Sequence, residues 1–524
     1  MKKIVVGMAL LLGASAALGQ DETALQATNG LASQRYMGIG KGVIVSVLDS
    51  GVDVTHPALR NSVYAQKDFT GEKSLDDDKG DVGHGTGIAG ILVGNDPKVY
   101  TGFAPGARLI NARVDTSKDV TSDLWAGNGL IWSARSGAKV ANISFGNKLG
   151  QGPLTDKFTL ISDYVAERYG VNVCVAGGNE NDSALQQVPG AVYNGYTVGA
   201  LGAPGYARTT EFSNYSLDED ARTKPDLVAP GEKVGIATAD WEKNTNYWEG
   251  TGTSYAAPMV GGVLTQMIGY GKSKKLPTDP LLLKAILLTS AIKSHDADGT
   301  PWGARHGGRD EDYGYLFTQP LDDEQGAGSL DAVSAYRLYG KVKAKSTPLS
   351  TWREGRLRGN QTYDLKLGKL YAGQHLGATL TWFRHVAYKD VNDNGLDAKD
   401  TFYQTASLAD FTLELVRDGV VIGASDSDVD NLEHLSWTLE KTANYTLRVY
   451  RFADSGLARE NFALAAQVMK GSAVASVQRA LAAASARGAA YSATGELRGF
   501  EAPEPSGMLW VVMMGAMLGR RRRR

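Results

Sequence analysis

Three side chains that together could perform nucleophilic catalysis lie far apart in the sequence: Asp49, His84 and Ser254. A serine hydroxyl is a poor nucleophile at neutral pH, so it needs a base that takes its proton. A histidine can be that base if an anion fixes its tautomer and stabilises its cation. The three residue types therefore indicate acyl transfer, with Ser254 as nucleophile, His84 as base and Asp49 as the anion.

Ser254 lies in a run of mostly small residues, Gly-Thr-Gly-Thr-Ser-Tyr-Ala-Ala-Pro at 250–258. The run predicts a junction between a loop and a helix over 254–269. A serine at such a junction can also be an ordinary N-cap, whose hydroxyl only accepts a hydrogen bond from the helix backbone. This segment alone leaves both interpretations open.

The two partner residues follow patterns of their own. Residues 43–48 are mostly apolar and β-branched, which predicts a buried parallel strand that ends at Asp49. Ligands and catalysis gather at the carboxyl ends of such strands. His84 lies between Gly83 and Gly85 before an apolar helix, and the glycines would let another backbone approach. The alternatives are a turn cap for Asp49 and a core histidine for His84.

Over roughly residues 34–339 the chain resembles the subtilisin-like serine peptidases, the subtilase family. The aspartate, histidine and serine follow one another in the order found in subtilisin. Residues 49–53 (Asp-Ser-Gly-Val-Asp), 83–86 (Gly-His-Gly-Thr) and 252–258 (Gly-Thr-Ser-Tyr-Ala-Ala-Pro) resemble the family's three catalytic motifs. The resemblance implies a serine endopeptidase that works through an acyl-enzyme intermediate and needs no cofactor for the chemistry.

A fourth segment, Ala-Gly-Gly-Asn at 176–179, resembles another motif of the family. By that resemblance, the side-chain amide of Asn179 donates to the oxyanion of the tetrahedral intermediate, and the backbone N–H of Ser254 is the second donor. In subtilisin such a donor contributes roughly 3–4 kcal/mol of transition-state stabilisation. The alternative is an asparagine that only forms a turn.

The resemblance also implies a substrate-binding surface made of two short segments. They are Ser144, Phe145 and Gly146, and Ala176, Gly177 and Gly178. The first would pair with the substrate backbone as one added strand, a mode that tolerates many sequences. The second would form a wall of the pocket for the residue before the scissile bond, with room for a large apolar or aromatic side chain. Proteins or peptides are the expected substrates.

Two other functions compete with the endopeptidase. A related acid peptidase class has glutamate and aspartate in place of the histidine, and His84 argues against it. A non-catalytic envelope or matrix protein would bind ligands through both parts of the chain. Such a protein has no use for an oxyanion asparagine facing a serine, so the four catalytic candidates together favour the enzyme.

Strand-like and helix-like runs alternate around these residues. Residues 109–114, 139–144 and 171–176 predict strands, and 281–291 predicts a helix. We therefore expect an α/β fold, a subtilisin-like open parallel sheet with helices on both faces.

The pattern changes after Tyr339. From about residue 348 to residue 470, short alternating runs such as 378–383, 411–416 and 445–450 are separated by Asp, Asn and Gly turns. This pattern predicts a small all-β sandwich of jelly-roll type. It resembles, more loosely, the pre-peptidase C-terminal-type domains that follow many secreted peptidases.

Within this region, Asp390, Asn392 and Asn394 place oxygen ligands at alternate positions before a glycine. That spacing matches the first half of a calcium loop. The twelfth position is a threonine where an EF-hand has glutamate, and Asp397 and Asp400 are the substitute ligands. A structural calcium ion is one interpretation, and an Asp/Asn-rich surface turn is the other.

The two ends of the chain predict export. Lys2 and Lys3, an apolar run and small residues up to Gly19 have the regions of a signal peptide. Near the other end, Pro-Glu-Pro at 503–505 precedes an apolar run and five arginines, which resembles the PEP-CTERM sorting tail that an exosortase-type enzyme cuts. A plain tail anchor is the alternative. We expect a secreted or cell-envelope protein of a Gram-negative-type bacterium, which contacts the membrane only transiently or through this tail.

The predicted organisation is a signal peptide at 1–19, a catalytic domain at 20–341, a β-sandwich domain at 346–470, an Ala/Ser-rich linker at 471–500 and the sorting tail at 501–524. A chain of 524 residues, 43% of them hydrophobic, can bury cores for both domains. The lone Cys174 excludes an internal disulfide and is expected to be an inert core thiol. A net charge of −2, basic termini included, argues against nucleic acid as a partner.

Overall fold

The structure is a computed structural model that describes residues 24–76, 83–96, 99–116, 120–146, 156–180, 189–217, 222–239, 246–303, 308–310, 315–318, 320–342, 347–392, 396–453 and 456–471. Four predicted features lie outside these residues. They are the signal peptide, Asn394 of the candidate calcium loop, the linker after its first residue, and the sorting tail.

Strands and helices alternate in the larger, N-terminal part of the chain, as the sequence predicts. Its helices are α1 (Gly30–Met37), α2 (His84–Val93), α3 (Asp123–Arg135), α4 (Lys157–Tyr169), α5 (Thr253–Lys274), α6 (Pro280–Thr289) and α7 (Ala332–Tyr339). Its strands are β1 (Ile44–Asp49), β2 (Val63–Asp68), β3 (Asn95–Asp96), β4 (Tyr100–Thr101), β5 (Arg108–Arg113), β6 (Val140–Ile143), β7 (Asn172–Ala176), β8 (Tyr196–Leu201), β9 (Ser216–Leu217), β10 (Thr223–Lys224), β11 (Leu227–Pro230), β12 (Val234–Ala237), β13 (Tyr247–Gly250), β14 (Gly308–Asp310) and β15 (Tyr315–Thr318).

Seven of these strands form one parallel sheet in the order β11-β8-β7-β6-β1-β5-β2. The interior strand β1 pairs with β5 and β6, so that Leu48 lies opposite Ala112 on one side and Ile143 on the other. The strands are parallel, so their carboxyl ends meet at one edge of the sheet. That edge brings together Asp49, Ser144 and the segment after Ala176.

Helices cover both faces of the sheet, which confirms the predicted fold class. One face packs with α2, α5 and α6 in a hydrophobic cluster that includes Val45, Ile88 and Met259. The other face packs with α3 and α4 in a cluster that includes Leu48, Leu130 and Ile161. No helix within the described ranges has the length and apolar character that a membrane crossing needs.

Helix ends lie where side chains can cap them. The hydroxyl of Ser122 accepts a hydrogen bond from Trp125 N–H at the start of α3, and Asp156 accepts one from Thr159 N–H at the start of α4. Gly170, with a φ of 63°, ends α4 in the left-handed region. These caps satisfy backbone groups that a helix end leaves without an intrahelical partner.

The C-terminal part is antiparallel, as predicted. Its strands are β16 (Leu349–Leu357), β17 (Gln361–Leu370), β18 (Gln374–Thr381), β19 (Val386–Lys389), β20 (Thr401–Gln404), β21 (Phe411–Arg417), β22 (Val420–Asp426), β23 (Leu432–Thr438), β24 (Ala443–Arg451) and β25 (Glu460–Lys470). They form sheets in the orders β22-β21-β24-β17 and β16-β25-β18-β23, which share one hydrophobic cluster around Trp382 and Phe411. The resemblance to pre-peptidase C-terminal-type domains stays a prediction.

The two parts of the chain are closely joined. Strands β14 and β15 precede the predicted boundary at 341, yet β15 pairs in parallel with β22 of the C-terminal part. Trp352 and Ala465 belong to the same hydrophobic cluster as α6. Thr381 Oγ1 donates to Leu281 O of α6 at 3.0 Å. The C-terminal sheets therefore pack directly on the N-terminal part, and the predicted domain boundaries stay predictions.

Candidate active site

The end of β1 holds Asp49 beside the first residue of α2. Asp49 is 3% exposed, and its Oδ1 accepts hydrogen bonds from the Ser50 N–H at 2.9 Å and the Ser50 hydroxyl at 3.1 Å. His84 Nδ1 lies 2.9 Å from the same oxygen. Since a carboxylate only accepts, Nδ1 carries the ring proton and Nε2 is the basic nitrogen.

Gly85 allows this contact between the strand and the helix. A Cβ at residue 85 would lie 2.1 Å from Gly51 O and 3.0 Å from Asp49 Cβ. No side chain larger than hydrogen fits at that distance without moving the backbone. The glycine after His84 therefore permits the close approach that the sequence predicts.

Ser254 is the second residue of α5 and is 8% exposed. Its hydroxyl donates to Ser144 O at 2.9 Å, and the Ser144 hydroxyl donates to Ser254 O at 2.8 Å. Within a regular helix, the N–H of residue 258 would donate to Ser254 O, but that residue is Pro258 and has no N–H. The Ser144 hydroxyl thus donates to the carbonyl that the proline leaves without a helical donor. This hydrogen bond connects the start of α5 to the end of β6.

Tyr255 connects the start of α5 to His84. The centroids of the two rings are 5.8 Å apart. Helices α2 and α5 also pack against each other on the same face of the sheet. The structure therefore brings Asp49 and His84 into direct contact and places Ser254 on the neighbouring helix end.

Asn179 follows β7 and is held by the residue before Ser254. Its Oδ1 accepts hydrogen bonds from Thr253 N–H at 2.7 Å and from Thr253 Oγ1 at 2.9 Å. The N–H can only donate, so the atom facing it must be the oxygen of the amide. Asn179 is exposed, and its Nδ2 lies 3.3 Å from the position that a Cβ on Gly252 would take.

The segment around Asn179 is fixed on its other side by Asn214. Asn214 N–H donates to Gly178 O at 3.0 Å, and Glu180 N–H donates to Asn214 Oδ1 at 2.7 Å. Gly177 N–H donates to Val198 O at 2.9 Å, which continues the pairing of β7 with β8. Ala176, Gly177 and Gly178 lie buried beside Asn179, and their role as a pocket wall stays a prediction.

Ser144, Phe145 and Gly146 leave the sheet directly after β6. Ser144 is buried and contacts Ser254, whereas Phe145 and Gly146 are half-buried. Phe145 stacks on Phe158 of α4 with ring centroids 6.1 Å apart. Among the described residues, none forms a backbone hydrogen bond with Phe145 or Gly146. An added strand could therefore pair with this segment.

The candidate calcium ligands lie away from this site, in the loop between β19 and β20. Asp400 accepts hydrogen bonds from Val391 N–H, Asp397 N–H and Tyr388 Oη. Asn392 Nδ2 donates to Asp397 Oδ2 at 2.8 Å, and Asp390 Oδ1 accepts from Asn392 N–H. No group of three or more His, Cys, Asp or Glu that could hold a metal occurs among the described residues. The calcium site stays a prediction.

Sequence reasoning missed Thr253 and Asn214 as residues that position Asn179. Thr253 stands in the motif at 252–258, so a signal was present for it, but only the fold shows which atoms the two residues contact. It also missed Arg113, whose Nε donates to Ser50 O at 2.9 Å behind Asp49. The buried Cys174 matches the expected core thiol, and burial raises its pKa.

The chain is similar to known proteins. Residues 40–328 match the Subtilase family. The major intracellular serine protease of Bacillus subtilis is 34% identical over 245 residues, which are 44% of this chain and 70% of that protein. Pyrolysin of Pyrococcus furiosus is 27% identical over 347 residues, 55% of this chain and 23% of that protein. The solved structure of the prenylagaramide maturation protease PagA covers 59% of this chain and 97% of its own, with 23% identity and a TM-score of 0.46.

Proposed function

The chain belongs to the subtilase family of serine endopeptidases, and we propose that it cleaves peptide bonds with Asp49, His84 and Ser254, with Asn179 as oxyanion donor. The observation that carries this proposal is the hydrogen bond of 2.9 Å between His84 Nδ1 and Asp49 Oδ1. It fixes the tautomer in which Nε2 can accept a proton. The buried carboxylate also stabilises the imidazolium that forms.

Acylation begins with the Ser254 hydroxyl. The hydroxyl turns from Ser144 O to His84 Nε2 and gives up its proton as Oγ bonds to the carbonyl carbon of the substrate. The electron pair of the carbonyl moves to its oxygen, which becomes the oxyanion. Asn179 Nδ2 and the backbone N–H of Ser254 donate to that oxygen. Both donors are held in place before the reaction, so little reorganisation is needed when the charge develops.

The tetrahedral intermediate then collapses. The electron pair on the oxygen re-forms the carbonyl, the bond to nitrogen breaks, and His84 gives its proton to the leaving amine. A water molecule repeats the sequence on the acyl-enzyme: His84 takes its proton, and Ser254 Oγ leaves with that proton. Asp49 keeps its hydrogen bond to His84 Nδ1 throughout, and no cofactor takes part.

Labelling by a fluorophosphonate probe, together with peptide hydrolysis, tests the proposal. Ser254→Ala should abolish labelling and lower kcat by roughly 10⁶-fold, with an unchanged melting temperature. Ser290→Ala is a matched control, because Ser290 is also a buried serine at a helix end and its hydroxyl donates to Leu287 O. If Ser254→Ala kept its labelling and turnover, the nucleophile would have to be another residue.

We also propose that the protein is exported and sorted to the cell envelope. The basic, apolar and small-residue regions of residues 1–19 and the Pro-Glu-Pro motif at 503–505 support this proposal. Mass spectrometry of protein from the envelope and medium fractions should give a mature chain that begins near Gln20 and lacks the arginine-rich end. A chain that retains both ends and stays inside the cell would contradict it.

We further propose that the loop between β19 and β20 binds calcium. The alternating oxygen ligands Asp390, Asn392 and Asn394 support this proposal, with Asp397 and Asp400 completing the set. Calcium should raise the melting temperature of the wild type and not that of Asp390→Asn/Asp397→Asn. Equal melting temperatures with calcium and with a chelator would leave the loop as a surface turn.

A further inference from the structure

Trp248 is a large apolar side chain that lies in solvent near the candidate active site. It is the second residue of β13 and is 57% exposed. Single exposed hydrophobic residues are common on protein surfaces, so exposure alone indicates nothing. Its position relative to His84 and Ser254 is what indicates a role.

One face of β13 is turned toward the ring of Tyr255. Side chains two residues apart in a strand lie on the same face, so Trp248 shares a face with Gly250. A Cβ on Gly250 would lie 2.6 Å from the Tyr255 ring. The Tyr255 ring therefore occupies the space in front of Gly250, on the face that carries Trp248.

The same ring contacts the catalytic histidine. Tyr255 follows Ser254 in the chain, and its ring centroid is 5.8 Å from that of His84. Tyr255 therefore lies against both His84 and the backbone of Gly250, and Trp248 continues this row two residues further along the same face of β13. The outer end of the row is the exposed indole.

This row belongs to the opposite layer of the molecule from the segment 144–146. Phe145 packs with Phe158 in the cluster on the α3 and α4 face of the sheet. Ile236, which lies opposite Trp248 in the β12–β13 pair, packs in the cluster on the α2 and α5 face. The cleft at the sheet edge thus has one wall from each layer. Under the proposed function, a substrate pairs with 144–146 before the scissile bond, and its residues after that bond would lie against the other wall.

We infer that Trp248 binds the substrate residues that follow the scissile bond and selects large apolar side chains there. This inference rests on the proposed function and deepens it. Tyr255 is 8% exposed and belongs to the buried cluster, so the exposed Trp248 indole is the apolar surface that these substrate residues can cover. Burying the apolar surface of an exposed indole against a leucine or phenylalanine contributes favourable binding free energy, whereas a glycine buries little of that surface and contributes little.

Two kinds of substrate make it possible to test this inference independently of the proposed function. A peptide p-nitroanilide has no amino acid after the scissile bond, whereas quenched fluorescent peptides can carry either Leu-Phe or Gly-Gly there. Trp248→Ala should lower the preference for Leu-Phe over Gly-Gly, measured as a ratio of kcat/KM, by about tenfold. Its kcat/KM for the anilide should equal that of the wild type. Tyr403→Ala, which removes an aromatic side chain that is 49% exposed on β20, is the control and should change neither value.

Each other outcome overturns the inference in a recognisable way. An unchanged preference in Trp248→Ala would show that the indole does not contact the substrate. An equal loss on anilide and peptides would show that Trp248 acts on the fold or on the catalytic groups. A wild-type protein that hydrolyses none of these substrates would remove the proposed function, and the inference with it.

Discussion

Asn179 and Thr253 form the smallest unit of the site whose geometry decides chemistry. An asparagine amide presents a donor on one side and an acceptor on the other, so the side that faces the substrate must be specified. Thr253 sets the orientation of the amide, because its N–H and its hydroxyl both donate to Asn179 Oδ1. Its hydroxyl is itself held, because Gly178 N–H donates to Thr253 Oγ1 at 3.0 Å.

Replacing the amide of Asn179 should show whether this residue is an oxyanion donor or only a turn residue. We expect Asn179→Leu to lower kcat by roughly 10²–10³ with little change in KM, because the tetrahedral oxyanion reaches the donor and the ground-state carbonyl does not. Steady-state kinetics and a thermal melt on the purified variant measure both quantities. A less stable variant with normal turnover would assign Asn179 to the turn alone.

The orienting role of Thr253 predicts a smaller effect with its own control. Thr253→Val keeps the N–H donor but loses the hydroxyl, so we expect kcat to fall by about tenfold, the cost of one hydrogen bond. Thr253→Ser retains the hydroxyl and should recover most of the activity. KM should be unchanged in both variants. Equal kcat values for the valine and serine variants would contradict the role of the hydroxyl.

At the scale of elements, the starts of two helices carry the site, and each depends on a residue that a helix normally avoids. Gly85 in the first turn of α2 lets the helix abut β1. Pro258 in α5 leaves Ser254 O without a helical donor, so that Ser144 can bond to it. Both residues lower intrinsic helix stability, and packing against the sheet compensates for that loss.

A single added methyl group at the start of α2 should disturb catalysis more than stability. We expect Gly85→Ala to destabilise the protein by roughly 1–3 kcal/mol because of overpacking, and to reduce kcat strongly because α2 moves away from Asp49. Gly269→Ala is the control, since a Cβ there would meet its nearest atom at 3.5 Å, an ordinary contact. It should leave activity unchanged and stability equal or slightly higher. Chemical denaturation and kcat together check this prediction, which fails if Gly85→Ala is fully active.

At the scale of the whole molecule, a charged cluster joins the two parts of the chain. His385, from the C-terminal part, places Nδ1 at 2.6 Å from Glu167 Oε1 of α4 and Nε2 at 2.7 Å from Glu460 Oε2 of β25. Both ring nitrogens face carboxylates, and these hydrogen bonds, that to Glu167 foremost, raise the pKa of His385 from 6.5 to about 10. His385 is therefore a cation in the folded protein at neutral pH.

This raised pKa predicts how stability depends on pH. Folding binds a proton on His385, so its contribution is complete below pH 6.5 and is lost as the pH rises through about 10. The difference in melting temperature between wild type and His385→Gln should therefore be large at pH 6.5 and disappear above about pH 10. Burial lowers the pKa of Lys284 to about 8 and that of Lys293 to about 7. Both lysines are present in the wild type and in the variant, so the effect of their titration cancels in the difference in melting temperature. A difference that is constant with pH would contradict this assignment.

Local patterns in the sequence were sufficient to predict many of the helices and strands of this protein. The apolar β-branched run before Asp49 predicts β1, and the small residues around His84 and Ser254 predict the helix starts that carry them. Alternating strands and helices predict the parallel sheet, and the structure confirms it. These features follow from residues that are close in the chain, whose periodicity and backbone preferences can be read directly.

The tertiary structure decided which distant residues meet. Nothing near Asn179 in the sequence shows that Thr253, on another element, fixes its amide. Nothing in the runs at 308–318 shows that β15 pairs with β22, because a strand does not carry the identity of its partner. Glu167, His385 and Glu460 come from a helix, a loop and a strand that only packing brings together. Such contacts depend on the shape of the whole chain, since they arise after the sheets and helices have packed and not from any local pattern.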